Sequence, residues 1–124
     1  MSGLRTPLVS FYTNQIIEFP WNYSLTITNI GKEASTGDCY LQINEICKRL
    51  ETNDPESVAV FTICNHGDGG RNHIHGMYSG LLGSRAVQGN LSGGFSTVKP
   101  FNKRWIEYVR VQSLGEDYTI KYGV

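Results

Sequence analysis

Residues 57–64, SVAVFTIC, and residues 72–79, NHIHGMYS, decide how this chain folds. The first stretch is rich in β-branched and aromatic residues, which favours a β-strand, and we expect the second stretch to be its partner strand. Between them lies NHGDGGR, residues 65–71, in which three of the seven residues are glycines. Glycine at this density suits a turn that needs positive φ angles. The sequence therefore predicts a β-hairpin whose first strand is apolar enough to lie in the centre of a sheet.

Two elements are predicted before this hairpin. Residues 23–30, YSLTITNI, alternate apolar with hydroxyl side chains, as a half-buried strand does. A polar break at residues 31–37 follows, and apolar residues then recur at helical spacing from position 39 to position 51. Asp38 is a good N-cap for this amphipathic helix.

Three segments are predicted after the hairpin. Residues 80–97 are rich in Gly and Ser and are expected to form a long loop or a short exposed strand. A helix is expected from Asn102, its cap, to about Gln112, and a closing strand from Asp117 to Tyr122. The buried face of that last helix is predicted to consist of Trp105, Ile106 and Val109.

The composition and the order of these elements indicate one domain over residues 1–124. Of the 124 residues, 40% are hydrophobic and 18% charged, as in ordinary globular domains. The predicted fold class is α+β, an antiparallel β-sheet with helices packed on it. The sequence contains no secretory signal, no apolar run of membrane-spanning length and no phosphate-binding Gly-rich loop. We therefore expect no membrane partner and no nucleotide hydrolysis.

The cysteines and the distribution of charge indicate the cellular compartment and the kind of partner. The three cysteines are odd in number and lack a CxxC spacing, which predicts reduced thiols in an intracellular compartment. The net charge is zero, but residues 1–65 hold four basic and seven acidic side chains, and residues 66–124 hold seven basic and four acidic. A phosphate-bearing partner would prefer the second half, although proteins that never touch DNA show such segregation too.

His73 and His75 form a candidate metal site. Residues two apart in a strand share a face and lie about 7 Å apart, so both imidazoles can converge on one cation. A third ligand must then come from a neighbouring strand or loop. The same pattern also fits a strand that carries two histidines without a metal. Candidates for the third ligand near the hairpin are Cys64, Asn65, His66 and Asp68.

Tyr108 is a candidate nucleophile on the last predicted helix. Arg104 lies one turn before it and Gln112 one turn after it. A phenol has an ordinary pKa of about 10 and is a weak nucleophile, so attack on a phosphodiester needs a nearby cation. A histidine-held divalent ion facing this helix would supply one. The alternative is that Tyr108 packs at the edge of the core and has no chemical role.

The segments YSLTITN, FTICNHGDGGRNHIHGMY and RWIEYVRVQSLGEDYTIKYGV resemble, in this order, the three motifs of rolling-circle replication initiators. These proteins belong to the HUH superfamily, which is named after its histidine, hydrophobic residue, histidine motif. The resemblance spans residues 23–124 and is greatest to the Rep proteins of eukaryotic circular single-stranded DNA viruses. The alternative is the related family of parvovirus-like initiators.

The resemblance implies an HUH endonuclease-like fold and a replication-initiator endonuclease. His73 and His75 match the ligands of Mg²⁺ or Mn²⁺, and Tyr108 matches the nucleophile. That tyrosine would nick single-stranded DNA at a viral origin hairpin, form a covalent 5′-phosphotyrosine intermediate and later rejoin the strand. The side chains expected to bind this DNA are Arg71, Lys103, Arg104 and Arg110.

Three positions depart from the family pattern. The acidic third ligand at the end of the strand is missing, and His66 is our predicted replacement. The family usually carries Lys three residues after the nucleophile, where this chain has Val111; Arg104 or Arg110 would have to supply its charge. Tyr118 begins a second Tyr-x-x-Lys pattern and is therefore the rival nucleophile.

The resemblance also predicts where the protein acts and what a longer chain would contain. We expect a viral protein that acts in the host cell nucleus, and residues 1–124 would be the N-terminal part of a longer initiator with a helicase domain. Two alternatives from other classes stay open. One is a non-catalytic module that binds origin DNA. The other is a small protein in which His66, His73 and His75 hold a structural zinc ion.

Overall fold

The computed structural model describes residues 4–5, 18–28, 35–65, 72–91, 95–112 and 119–121. In these residues the chain forms six strands and three helices. The strands are β1 (Leu4–Arg5), β2 (Tyr23–Thr28), β3 (Val58–Cys64), β4 (His73–Ser79), β5 (Phe95–Pro100) and β6 (Thr119–Lys121). The helices are α1 (Thr36–Asn53), α2 (Ser84–Asn90) and α3 (Arg104–Gln112).

The six described strands form one sheet in the order β1-β6-β3-β4-β2-β5, and every pair of neighbours is antiparallel. The predicted α+β class is therefore confirmed. β3 and β4 pair along their whole length at the centre of the sheet, from Val58 opposite Ser79 to Cys64 opposite His73. Within the described ranges, no helix is long and apolar enough to cross a lipid bilayer.

The helices cover both faces of the sheet. α1 and α2 pack on one face, where Leu25, Phe61 and Ile74 are fully buried. α3 packs on the opposite face through Ile106 and Val109. Because side chains alternate along a strand, Ile74 belongs to the first face while its neighbours His73 and His75 belong to the face that α3 covers.

α1 begins three residues earlier than the sequence predicts. Its N-cap is Ser35, whose Oγ accepts a hydrogen bond from the backbone N–H of Asp38 at 3.1 Å. The Asp38 carboxylate in turn accepts from the backbone N–H of Ser35 at 3.2 Å. Asp38 is therefore the third residue of the helix and the partner of Ser35 in a capping box, not the cap itself, so the predicted cap was wrong.

Residues 80–97 were predicted as a loop or a short strand, but they contain the helix α2 as well as the start of β5. α2 has seven residues, of which Val87 and Asn90 are buried. It is too short to show a helical period, and tertiary contacts hold it. Asn53 donates to the side chain of Asn90 at 2.7 Å, and Gln88 donates to the Ser96 carbonyl at 2.9 Å.

Gly76 lets β4 approach β3 closely on the face of the sheet that α1 and α2 cover. A Cβ at this position would lie 2.5 Å from the carbonyl oxygen of Val60 and 2.8 Å from the ring of Phe61. We expect Gly76→Ala to lower the free energy of unfolding by about 1–3 kcal/mol, measured by urea denaturation. Gly89→Ala is the control, since open space surrounds that position. Equal stabilities of the two variants would contradict this packing.

Candidate metal centre and adjoining groove

His73 and His75 lie side by side on β4 and point towards α3. Both side chains are buried, with 5% and 3% of their surface exposed. Their Nε2 atoms are 3.0 Å apart, and the two rings meet edge to face at a centroid distance of 4.5 Å. The prediction that the two imidazoles share a face and can converge is therefore confirmed.

Gln112, the last residue of α3, brings a third polar atom to this pair. Its side-chain Oε1 lies 2.9 Å from His73 Nε2 and 3.1 Å from His75 Nε2. The backbone carbonyl of the same residue accepts a hydrogen bond from the N–H of Asn65 at 2.8 Å, which ties the helix end to the end of β3. In the sequence Gln112 is recognisable only as the residue one helical turn after Tyr108.

Cys64 completes the buried cluster from β3, directly opposite His73. Its Sγ and one ring nitrogen of each histidine all lie within 4.8 Å of one another. Burial raises the pKa of the Cys64 thiol to about 12, and nearby Cys39 adds to the rise, while a hydrogen bond with the backbone of His75 opposes it. The thiol is therefore neutral near pH 7 unless a cation displaces its proton.

The Cys64–His73–His75 cluster can bind a metal ion. Imidazole nitrogens, a thiol and an amide oxygen are all established metal ligands, and here two strands and a helix bring them close together. Cys64 was one of the residues considered from the sequence as a third ligand. The residue preferred there, His66, lies outside the described residues, as does Asp68.

Thr26 and the aromatic residues of α3 surround the ring of His75. Thr26 Oγ1 lies 3.1 Å from His75 Nδ1. The Trp105 ring meets the imidazole edge to face at 4.8 Å, and the Tyr108 ring lies at 5.5 Å. Trp105 is anchored because its indole N–H donates to the carbonyl of Gly76 at 2.9 Å. Trp105, which was predicted to be a core residue, is only partly buried and contacts both the histidine and the candidate nucleophile.

A groove of about 480 Å³ opens beside His75. Tyr108 lies on its wall with 48% of its surface exposed and stacks on Trp105 at a centroid distance of 5.3 Å. Among the described residues that line the groove none is acidic, whereas Lys99 and Arg104 are basic. The lining consists of Ser24, Thr26, His75, Thr97, Lys99, Pro100, Asn102, Arg104, Trp105 and Tyr108.

The predicted DNA-binding cations are placed differently from one another. Arg104 lines the groove. Within the described residues, Lys103 is exposed but is not part of the lining, and Arg110 forms an ion pair with Glu107 at 2.8 Å with only 15% of its side chain exposed. Arg71 lies outside the described residues, and so does the rival nucleophile Tyr118.

Lys99 is a groove residue that sequence reasoning missed. It lies on β5, where Thr97 and Lys99 alternate with more buried side chains and share the face of Thr26 and Ser24. The alternation in FSTVKP, residues 95–100, is the signal that would have revealed it. Pro100 and the glycines before β5 favoured the prediction of a loop instead, because both residue types are typical of loops.

A scan against models of protein families finds no match, and comparisons with curated proteins and with solved structures find none either. What the site does is therefore inferred from its own residues.

Proposed function

We propose that this chain is a metal-dependent endonuclease that nicks and rejoins single-stranded DNA, with Tyr108 as its nucleophile, as in the HUH replication initiators that it resembles. One observation carries the proposal. The half-exposed phenol of Tyr108 lies 5.5 Å, ring to ring, from His75 of the metal-binding cluster, and both line the same groove. Phosphodiester cleavage requires a nucleophile close to a cation, and here the candidate nucleophile and one ligand of the candidate cation site line the same groove.

The two imidazole nitrogens and the amide oxygen of Gln112 lie close enough together to contact one small cation. The distances among His73 Nε2, His75 Nε2 and Gln112 Oε1 are 2.9, 3.0 and 3.1 Å. In this role the two histidines and Gln112 would hold the ion, which supplies a positive charge that polarises a phosphate and stabilises a phenolate.

The groove suits a single strand better than a duplex. Lys99 and Arg104 offer two cations for backbone phosphates, and the stacked pair Trp105 and Tyr108 offers an aromatic surface for an unpaired base. The net charge of zero supports weak binding to random duplex DNA, since non-specific affinity depends on neutralising many phosphates. An origin hairpin with an exposed single-stranded segment is therefore the substrate that we propose.

The proposed reaction is a transesterification. The phenol oxygen of Tyr108 attacks the phosphorus of a phosphodiester and loses its proton to water. The new bond joins this oxygen to the 5′ phosphate, the bond from phosphorus to the 3′ oxygen breaks, and that oxygen takes a proton from water. Lys99 and Arg104 hold the flanking phosphates, and Trp105 keeps the phenol in line. In reverse, a 3′ hydroxyl attacks the tyrosyl phosphate and rejoins the strand.

The test is covalent capture. The protein is incubated with single-stranded oligonucleotides from viral origin hairpins, with Mn²⁺ or with EDTA, and denatured on a gel. We expect an adduct that resists denaturation, requires Mn²⁺ and maps to Tyr108 by mass spectrometry. No adduct with any origin, together with retained hairpin binding, would favour the non-catalytic module.

The two groove cations give a prediction about binding. We expect Lys99→Gln and Arg104→Gln each to weaken single-stranded DNA binding and to reduce the slope of log K against log salt by about 0.7. Fluorescence anisotropy over a salt series measures this slope. Lys48→Gln is the control, because Lys48 is 72% exposed on α1, on the other side of the sheet. If Lys48→Gln changed the DNA affinity and the salt slope as much as the two groove variants do, a specific binding groove would be contradicted.

Structural zinc is the second candidate function, and Cys64 favours it. A thiolate is a preferred zinc ligand, and Cys64, His73 and His75 would supply three of the four ligands that a structural zinc ion takes. Removal of such an ion would unfold the domain, whereas a catalytic ion exchanges and leaves the fold intact. The nuclear, viral and helicase-linked setting stays a prediction from the resemblance.

A further inference from the structure

We propose that Thr26 is the positioning residue that sets which nitrogen of His75 carries the proton, and that it thereby controls the affinity of the cluster for its cation. The proposal rests on the proposed metal site but concerns a residue outside the ligand set. Thr26 was predicted only as part of a half-buried strand.

The geometry places the hydroxyl at the back of the imidazole. Thr26 lies directly opposite His75 in the β2–β4 pairing, so backbone hydrogen bonds of the sheet set the separation of the two side chains. Its Oγ1 is 3.1 Å from Nδ1, while Nε2 of the same ring faces His73 and Gln112. The two ring nitrogens therefore have distinct partners on opposite sides of the imidazole.

A neutral imidazole carries one proton, on Nδ1 or on Nε2. With the proton on Nε2, that atom donates towards Gln112 and offers the cation no lone pair. With the proton on Nδ1, Nε2 is free to bind the cation, and the buried N–H then needs an acceptor. Thr26 Oγ1 is in position to be that acceptor.

A threonine hydroxyl serves both states, because it can donate to a bare Nδ1 or accept from a protonated one. The ring therefore does not have to turn when the cation enters. The ring contacts with Trp105 and Tyr108 flank the imidazole and support the same orientation. Thr26 accordingly acts through His75 and has no need to contact the cation.

The decisive experiment measures Mn²⁺ binding by calorimetry and by electron paramagnetic resonance, without DNA. Thr26→Val keeps the shape of the side chain and removes the hydroxyl, and we expect it to weaken Mn²⁺ binding about 10–100-fold. Thr26→Ser restores the hydroxyl and is expected to bind like the wild type. Thr52→Val is the control, because it removes a threonine hydroxyl from α1, on the other face of the sheet.

A second readout separates positioning from a general structural role. Saturating Mn²⁺ is expected to restore covalent capture by Thr26→Val, because the defect lies in affinity. Wild-type Mn²⁺ affinity in a folded Thr26→Val would overturn the positioning role. A chain that binds Mn²⁺ with the expected Thr26 dependence yet never captures DNA would overturn the proposed nicking activity and leave the positioning role standing. A wild type that binds no Mn²⁺ would overturn both.

Discussion

Tyr108→Phe is expected to abolish covalent capture of DNA and to lower the nicking rate by about 10³-fold or more. The substitution removes the attacking oxygen and keeps the ring that stacks on Trp105 at 5.3 Å. Loss of a covalent nucleophile generally costs factors of this size, because the remaining groups still bind but cannot form the intermediate. Single-turnover cleavage of a labelled origin oligonucleotide measures the rate, and a denaturing gel measures the adduct.

Two controls make this result specific. Tyr40→Phe changes another partly exposed tyrosine, 43% exposed on α1 at the other face of the sheet, and is expected to leave capture unchanged. Mn²⁺ and DNA affinities of Tyr108→Phe should match those of the wild type. Tyr118→Phe tests the rival. If capture survives in Tyr108→Phe and disappears in Tyr118→Phe, the assignment of the nucleophile is wrong.

His75→Ala is expected to have the second large effect. It should lower both the Mn²⁺ affinity and the nicking rate by about 10³-fold. His75 belongs to the cluster and also lines the groove beside Tyr108, so its removal breaks the link between the cation and the nucleophile. A cation next to the reacting phosphate contributes several kcal/mol to stabilising the transition state, which corresponds to this range of rates. Calorimetric Mn²⁺ titration and the single-turnover assay measure the two losses.

Chelation of the wild type tests the same site without creating a cavity. EDTA is expected to abolish nicking, while circular dichroism and the melting temperature stay close to those of the Mn²⁺-loaded protein. Added Mn²⁺ should restore activity. Cooperative unfolding on chelation, rescued by Zn²⁺ and sensitive to Cys64→Ser, would instead establish the structural zinc site.

Local pattern accounts for much of the fold. The strands β2, β3 and β4 and the helices α1 and α3 were predicted within a few residues. β2, α1 and α3 bury a face whose period of 2 or 3.6 is visible in the sequence, whereas β3 and β4 are central strands that are buried on both faces. The error at the start of α1 has a local cause as well. Ser35 and Asp38 are both good capping residues, and only the backbone conformation shows that Ser35 is the cap and Asp38 its partner.

α2 and β5 are the elements that local sequence patterns predict least well. α2 buries two of its seven residues, and β5 is an edge strand in which most side chains are exposed. α2 has no hydrophobic period of its own, and the alternation in β5 is weak. Their structure depends on partners distant in sequence, such as β2 for β5 and Asn53 for the end of α2.

By itself the sequence determined that His73 and His75 share a face and that Tyr108 lies one turn from Arg104 and Gln112. Both facts follow from the periodicity of a single element. Only the tertiary structure decided which other residues meet there. Cys64, Gln112 and Thr26 reach the histidines because strand pairing and the packing of α3 bring together positions up to 49 residues apart. Such contacts depend on sheet register and helix docking, which no local pattern encodes.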